Sequence, residues 1–573
     1  MKYLMKYLKR YKFESVIAPL FKMLEAGFDL CVPLIVADII DKGIKNGDKV
    51  YILWRFALLI GMAALGLLSS VIAQYFSAKT AIGAASAMRH DIFVKIQTLS
   101  HTELDRVGTS TLITRMTSDV NQVQNGINMF LRLFLRSPFI VFGAMVLAFF
   151  IDVELALIFV LAIVVLFVIV FGIMGVTSPK YKAVQGRLDK ITEATTENIG
   201  GVRVIRAFGR EDVQSRIFKN INEEILSEQI GVGKISALMN PLTYVVVNAV
   251  IIAVLWLGRE KVTEGVLLSG AIIALINYIG QILVELVKLA NFIVLISKAM
   301  AGMSRISQIL DMESSMVYEG NSELSDNGEA IRFENVSLKY QGGGDEAISN
   351  ISFSANKGEV IGIIGGTGSG KSTLVNLIPR FYDATSGTVY IKGTPVKDIS
   401  REKLNDIVSI VNQKVTLFSG TIRSNLLWGK GDADDEELWQ ALEIAQAKEF
   451  VEKKQGLLDE EVKEGGVNLS GGQKQRLTIA RAVLKGADIL ILDDSSSALD
   501  YATDAALRRA LKELSGNVTV FIVSQRASSV SHADKILVLD DGELVGIGTH
   551  DELLDGCEVY REIYESQSAE GRV

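Results

Sequence analysis

Six long apolar stretches, residues 16–40, 52–76, 130–151, 155–176, 238–258 and 266–296, leave this chain few folds to choose from. A helix needs roughly 20 residues to cross the hydrocarbon core of a bilayer, and each stretch is long enough. No water is available there, so every backbone N–H and C=O must be satisfied internally, which predicts six membrane helices. Only seven of the 573 residues are proline, which suits long uninterrupted helices. An even number of spans puts both chain ends on one side.

Charge in the loops says which side that is. The loops at 152–154 and 258–265 are short and poor in basic residues, whereas 178–236 carries ten Lys and Arg. Basic loops stay in the cytoplasm, so the long connections and both termini are expected there. The loop 41–49, with three lysines, runs against this orientation. The start, MKYLMKYLKRYKFE, holds five basic residues and opens as a secretory signal would. The apolar run behind it contains Glu25 and Asp29 and no small-residue cleavage site, so a retained first helix preceded by a basic interfacial segment is expected. The expected location is a bacterial plasma membrane.

Residues 51–99 lack proline and read as one helix, roughly 70 Å long against a hydrocarbon core of about 30 Å. Residues 180–240 also lack proline. Two hairpins should therefore project into the cytoplasm. Beyond them a polar linker, 311–330, separates a membrane domain, 1–310, from residues 331–573. In that last part short strands (IRFENVSL, VIGIIG, GTVYIKG, ILILDD, VTVFIVS) alternate with helical patterns, as in a mostly parallel α/β domain. The net charge of −7, with no basic run past the first dozen residues, argues against nucleic acid as a partner. Two cysteines, Cys31 and Cys557, make no disulfide framework, so the soluble part is expected in a reducing compartment.

The strand VIGII runs into GGTGSGKST and then a helical segment, the context that G-x-x-x-x-G-K-[ST] requires for phosphate binding. Gly365, Gly366, Thr367, Gly368, Ser369, Gly370 and Thr373 shape a loop whose amides face phosphate oxygens. Lys371 reaches the outer phosphates and Ser372 ligates Mg²⁺. Asp493 ends an aliphatic strand and is placed to hold the same Mg²⁺. Alone, it would read as a turn residue.

A third motif, NLSGGQKQRLTIARAVL, sets Ser470, Gly471, Gly472 and Gln473 at a helix start, where a hydroxyl and free amides can meet an anion. LSGGQ, about twenty residues before an aspartate-ending strand, resembles the signature of the ABC ATPases. The six-span arrangement is similar to that of ABC exporters with both domains in one chain, and the likeness covers essentially the whole sequence. It implies an all-α transmembrane domain fused to a cytosolic α/β P-loop ATPase domain that uses ATP and Mg²⁺. It also implies that two ATPase domains pair head to tail, with each ATP between one phosphate loop and the other chain's LSGGQ. Residue by residue, Tyr340 resembles the adenine-stacking aromatic, Gln413 the Q-loop residue that contacts Mg²⁺ and the hairpins, and Asp500 the D-loop. Glu464 resembles a hairpin-contacting glutamate, although Lys463 replaces the family's usual glycine beside it. GTSTLITRMTSDVNQVQ and GVRVIRAFGRE resemble the cytoplasmic hairpins.

Two positions depart from the active pattern. Asp494 stands where the family has its general-base glutamate, and Gln525 where it has its switch histidine. Aspartate is one methylene shorter, and a misplacement of that order costs about 100-fold in rate. Glutamine offers no cationic donor. Binding should survive while hydrolysis suffers, and the intact signature serves the opposite site. The expectation is one half of a heterodimer whose partner carries the missing Glu and His, exporting hydrophobic or amphipathic compounds across the membrane by alternating access, with membrane lipid as a further partner. A slow homodimeric lipid flippase and a non-transporting regulatory subunit are the alternatives. Glu25, Asp29, Glu285 and Lys288, costly in lipid, should face a cavity or each other.

Overall fold

The computed structural model describes residues 2–570 apart from 317, 319, 321, 323, 326, 327, 496, 497, 515 and 517. Part of the 311–330 linker and two serines of ILILDDSSSALD thus lie outside the described residues. The chain forms two compact units: one holds the residues up to Gln97 together with Ser110–Met312, the other Thr98–Thr109 together with everything from Glu313 on.

The first unit is helical. Among the described residues, five helices are long and apolar enough to cross a membrane: Lys49–Thr98, Thr109–Ile151, Val153–Gly200, Glu211–Thr263 and Ser269–Leu310. The first apolar stretch of the sequence forms the 27-residue helix Lys12–Asp38. It is not among those five, because Lys22, Glu25 and Asp29 interrupt its apolar run. Lys49–Thr98 is a single 50-residue helix, about 75 Å long. The proline-free stretch 180–240 is broken after Gly200 into the short helix Val202–Ala207 and the helix Glu211–Ala237. Gly209, at φ +59°, makes the turn between them in a backbone region that favours glycine.

Ala26 and Leu30, Ile140 and Ala144, Phe159 and Leu166, and Tyr278 and Ile282 share one buried cluster. The alanines allow close approach, which replaces hydrophobic attraction between helices in lipid. Tyr278 is fully buried and its hydroxyl donates to the Leu30 carbonyl at 2.8 Å. Outward-facing side chains are apolar instead, as with Trp54 and Leu67.

The second unit is α/β. Its main sheet has six strands in the order Glu543–Gly548, Lys535–Asp540, Val360–Gly365, Thr519–Val523, Ile489–Asp493, Val408–Val411. All neighbours are parallel except the first pair. The central strands Val360–Gly365 and Ile489–Asp493 are buried at every position, so both read as continuous aliphatic runs. A four-stranded sheet built on Glu329–Leu338 packs beside it. Val523 pairs with Asp493, and Gly365 ends the strand on the other side of it, so the carboxyl ends of three strands meet. In open parallel sheets that edge is where ligands bind.

The segment Thr98–Thr109 belongs to this unit although it interrupts the first. Its helix His101–Val107 starts with a capping box between Ser100 and Glu103. Glu103 Oε1 accepts from the Ser315 amide at 3.2 Å, and Asp105 Oδ2 accepts from the Tyr382 hydroxyl at 2.6 Å. The His101 ring lies 4.5 Å from that of Phe381, and burial pulls its pKa down.

Candidate functional site

Strand, loop and helix build the phosphate cradle locally. Gly368 and Gly370 both hold φ +88°, a region closed to most other residues. A Cβ on Gly365 would stand 2.1 Å from the Leu539 carbonyl, and one on Gly370 2.7 Å from that of Ala347. Lys371 opens the helix Lys371–Asn376 and is buried. That helix has only six residues, so loop amides and the ammonium, rather than a long helix dipole, carry the positive potential. Lys371 Nζ donates to the Gly365 carbonyl at 2.9 Å and the Gly366 carbonyl at 2.5 Å. Burial draws its pKa down, while Asp494 and Asp493 oppose that shift.

Ser372 Oγ donates to Asp493 Oδ1 at 3.0 Å. Asp493 is buried, and burial raises its pKa against the Ser372 hydrogen bond. A buried carboxylate beside a hydroxyl suits Mg²⁺, which takes one or two protein oxygens and completes its shell with water and phosphate. Among the described residues no group of three His, Cys, Asp or Glu could hold a metal alone, so a cation here would need the nucleotide's oxygens. Ser372 and Asp493 would hold it, with Gln413 on the same cavity wall. The ion would supply charge neutralisation at the phosphates.

Asp494 takes a left-handed backbone, φ 48°. Its amide donates to the Val523 carbonyl at 3.0 Å, which fixes it against the neighbouring strand. Its Oδ2 accepts from Gln413 Nε2 at 3.4 Å, and its carbonyl accepts from Gln475 Nε2 at 3.3 Å. Across the cavity, Gln525 Oε1 accepts from Thr367 Oγ1 at 3.5 Å. Thr367, Lys371, Ser372, Gln413, Asp493, Asp494 and Gln525 line one cavity of about 220 Å³. Sequence reasoning missed Ser524, which lines it too and is anchored by its amide to the Ile363 carbonyl at 3.0 Å. Its position directly after the strand was the available signal.

Tyr340 sits beside the loop. Its hydroxyl donates to Thr373 Oγ1 at 3.2 Å, and its ring meets Tyr382 edge-on with centroids 5.1 Å apart. Burial raises its pKa. It faces a separate cavity of about 360 Å³.

The signature residues are elsewhere. Ser470, Gly471, Gly472 and Gln473 do not line the 220 Å³ cavity, and neither does Asp500. Ser470 caps the helix Gly471–Leu484: its Oγ accepts from the Gln473 amide at 3.3 Å, and Gln473 Oε1 accepts from the Ser470 amide at 3.0 Å. Asp500 caps the next helix, Oδ1 accepting from the Thr503 amide at 2.8 Å. Gly472 lies so close to Ala498 that a Cβ would stand 3.0 Å from its carbonyl oxygen. Glu464 and Lys463 are both exposed, just before a turn in which Gly465 and Gly466 have φ +63° and +64°.

Comparison with known proteins agrees with this geometry. Residues 15–286 match the ABC transporter transmembrane region and residues 348–497 match the ABC transporter family. An uncharacterized ABC transporter ATP-binding protein of Bacillus subtilis (strain 168), YfiB, is 36% identical over 561 residues, covering 98% of this chain and 97% of its own length. An ATP-dependent lipid A-core flippase of Hahella chejuensis is 31% identical over 519 residues, covering 90% of this chain and 88% of its own. The structure of a bacterial Atm1-family ABC exporter with ATP bound superposes with a TM-score of 0.79 at 22% identity, over 98% of each chain. A helical membrane unit and an ATPase unit with an assembled phosphate cradle stand in one chain, and that chain belongs to the ABC transporters, as an ATP-hydrolysing exporter half with both parts fused.

Proposed function

We propose that this chain is the half of a heterodimeric exporter that carries the weak ATP site and completes the strong one in its partner. The observation that carries the reading is the division within the second unit. Asp494 and Gln525, the two altered residues, line the cavity with Lys371, Ser372 and Asp493, while Ser470 lies outside it. ATP with Mg²⁺ binds on residues 365–373, with Tyr340 against the adenine and Gln413 reading the cation. Hydrolysis there is slow. Ser470, Gly471, Gly472 and Gln473 close over ATP held by the partner, and Asp500 lies at the same interface.

Residues 1–310 act as the membrane domain, with Lys12–Asp38 counted as a sixth span, 311–330 as the linker and 331–573 as the ATPase domain. The N-terminus and the ATPase domain face the bacterial cytoplasm. The cargo is a hydrophobic or amphipathic compound taken from the membrane and moved outward by alternating access. A slow homodimer that moves lipid is the second reading, favoured by the resemblance to a lipid A-core flippase.

Turnover decides between them. The isolated chain should bind ATP but hydrolyse it at least about tenfold more slowly per site than the complex drawn from host membranes by a tag on this chain. Equal turnover per site, with no second kind of subunit co-purifying, supports the homodimer instead.

A further inference from the structure

Near the start of the helix Glu558–Glu570, Tyr560 is fully buried, and its hydroxyl shares a 2.7 Å hydrogen bond with His550 Nδ1. It packs in one cluster with Ile364, in the strand that runs into the phosphate loop, and with Ala527 and Val530, which follow Gln525. Ile563 and Tyr564, one turn on, pack against the same cluster. Residues three, four and seven apart share a helix face, so this apolar face carries Gln567 to the segment 524–527.

Gln567 grips that segment with both ends of its carboxamide. Nε2 donates to the Gln525 carbonyl at 2.8 Å, and Oε1 accepts from the Ala527 amide at 2.8 Å. The second bond fills a local gap. Ala527 opens the short helix Ala527–Val530, whose N-cap residue is Arg526, and an arginine side chain has no acceptor to offer. The acceptor comes instead from 40 residues away. The far end of the segment is held separately, from the helix Tyr501–Leu514, where Arg508 donates to the Ser528 carbonyl at 2.5 Å.

Ser524 and Ala527 are each 1% exposed, whereas Gln525 between them is exposed and lines the cavity around Lys371. Its side-chain contact with Thr367, at 3.5 Å, is too long to fix a direction. Direction is left to the backbone, and Gln567 holds the backbone on both sides of Arg526.

We propose that Gln567 is a positioning residue for the ATP site: its clamp on the Gln525 carbonyl and the Ala527 amide aims the Gln525 carboxamide at the space of the γ-phosphate, and this chain's preference for ATP over ADP depends on it. This deepens the proposed reading of the site and rests on its placing of Gln525 at the switch position. An amide cannot supply the cation of a histidine, so its one hydrogen bond depends the more on direction.

The test uses the complex purified from host membranes by a tag on this chain. Gln567→Met keeps the length of the side chain and removes both bonds. Hydrogen exchange of the peptide 524–530 should quicken by about tenfold in that variant. ATP and ADP are then competed on ice against an azido-ATP analogue crosslinked to this chain. Gln525→Ala should cut the ATP-over-ADP preference by about tenfold, the worth of one hydrogen bond to a charged group. Gln567→Met should cut it by at least about threefold, with ADP binding unmoved. The double variant should be no worse than Gln525→Ala alone, because the effect runs through that side chain. A helix that merely stabilised the domain would weaken ATP and ADP alike and add to Gln525→Ala. That result, a preference kept in Gln567→Met while Gln525→Ala loses it, or unchanged exchange in Gln567→Met overturns the proposal. Quickened exchange in Gln567→Met beside an unchanged preference in Gln525→Ala leaves the clamp standing and counts against the reading of Gln525.

Discussion

The phosphate loop and the LSGGQ helix lie in one unit and have opposite deficits. Around Lys371 the geometry is assembled: strand ends converge, Ser372 reaches Asp493 at 3.0 Å, and a cavity of about 220 Å³ is ready for phosphates. On the proposed reading it is the chemistry that departs from the active pattern, at Asp494 and Gln525. Around Ser470 the proposed reading has the signature chemistry intact but away from the cradle: a capped helix start that lies outside the cavity around Lys371. The contrast teaches that a single chain is the wrong unit in which to judge catalysis. On the proposed reading each region needs a counterpart, and the two need not come from the same kind of subunit.

The sharpest way to break that comparison is at the signature. Ser470→Arg removes a hydroxyl cap and, if Ser470 closes over the partner's ATP as proposed, fills the space of its γ-phosphate, so ATP turnover of the complex should fall by at least about 100-fold. Nucleotide binding at Lys371 should persist, as read by a photo-crosslinked ATP analogue on this chain. Undiminished turnover in a normally assembled complex would mean that Ser470 completes no working site. Conversely, on the proposed reading Asp494→Glu with Gln525→His would restore a general base and a switch histidine in this chain's own cavity. Turnover at that site should rise by about tenfold, less than the full 100-fold for a repositioned base. The shortfall comes from φ 48° at position 494, where glutamate is less at home than aspartate. Tyr340→Ala should weaken ATP binding at this site by about tenfold, the loss of one base-stacking contact. Tyr340→Phe, which loses only the 3.2 Å bond to Thr373, should cost less.

How much of this was legible before folding follows the range of the contacts. The phosphate loop was readable because strand, glycines and Lys371 are contiguous, and Asp493 because an aliphatic run ending in Asp is a local pattern. Glu285 and Lys288 were readable as a pair because they are three apart on one helix, and they lie 2.8 Å apart. Arg136 was not readable as a partner of Glu285. It joins Asp29 and Glu285 across 107 and 149 residues of sequence, and only helix packing sets such contacts. The same holds for His101–Val107, whose membership in the ATPase unit rests on Tyr382 and Ser315, hundreds of residues on, while the sequence pointed to the stretch just after it. The Ser100–Glu103 capping box was a local sign of that helix, but it carries nothing about what the helix packs on.

The smallest expected effect is the most discriminating. Asp494 accepts a long, 3.4 Å contact from Gln413, and its backbone is held to the Val523 and Gln475 groups. Asn keeps the shape and tolerates the same left-handed backbone, so Asp494→Asn should leave fold and ATP binding unchanged. What it removes is the capacity to take a proton from water. If that capacity is already idle because the carboxylate stops short of the attacking water, turnover of the complex should change by less than about twofold. The glutamate expected at the corresponding position of the partner should behave oppositely, with Glu→Gln there stopping hydrolysis. Steady-state ATPase rates of the two single variants, beside the unmodified complex, make the comparison. A collapse of turnover in Asp494→Asn alone would make the cavity around Lys371 the working site, and the division of labour between the two regions would be lost.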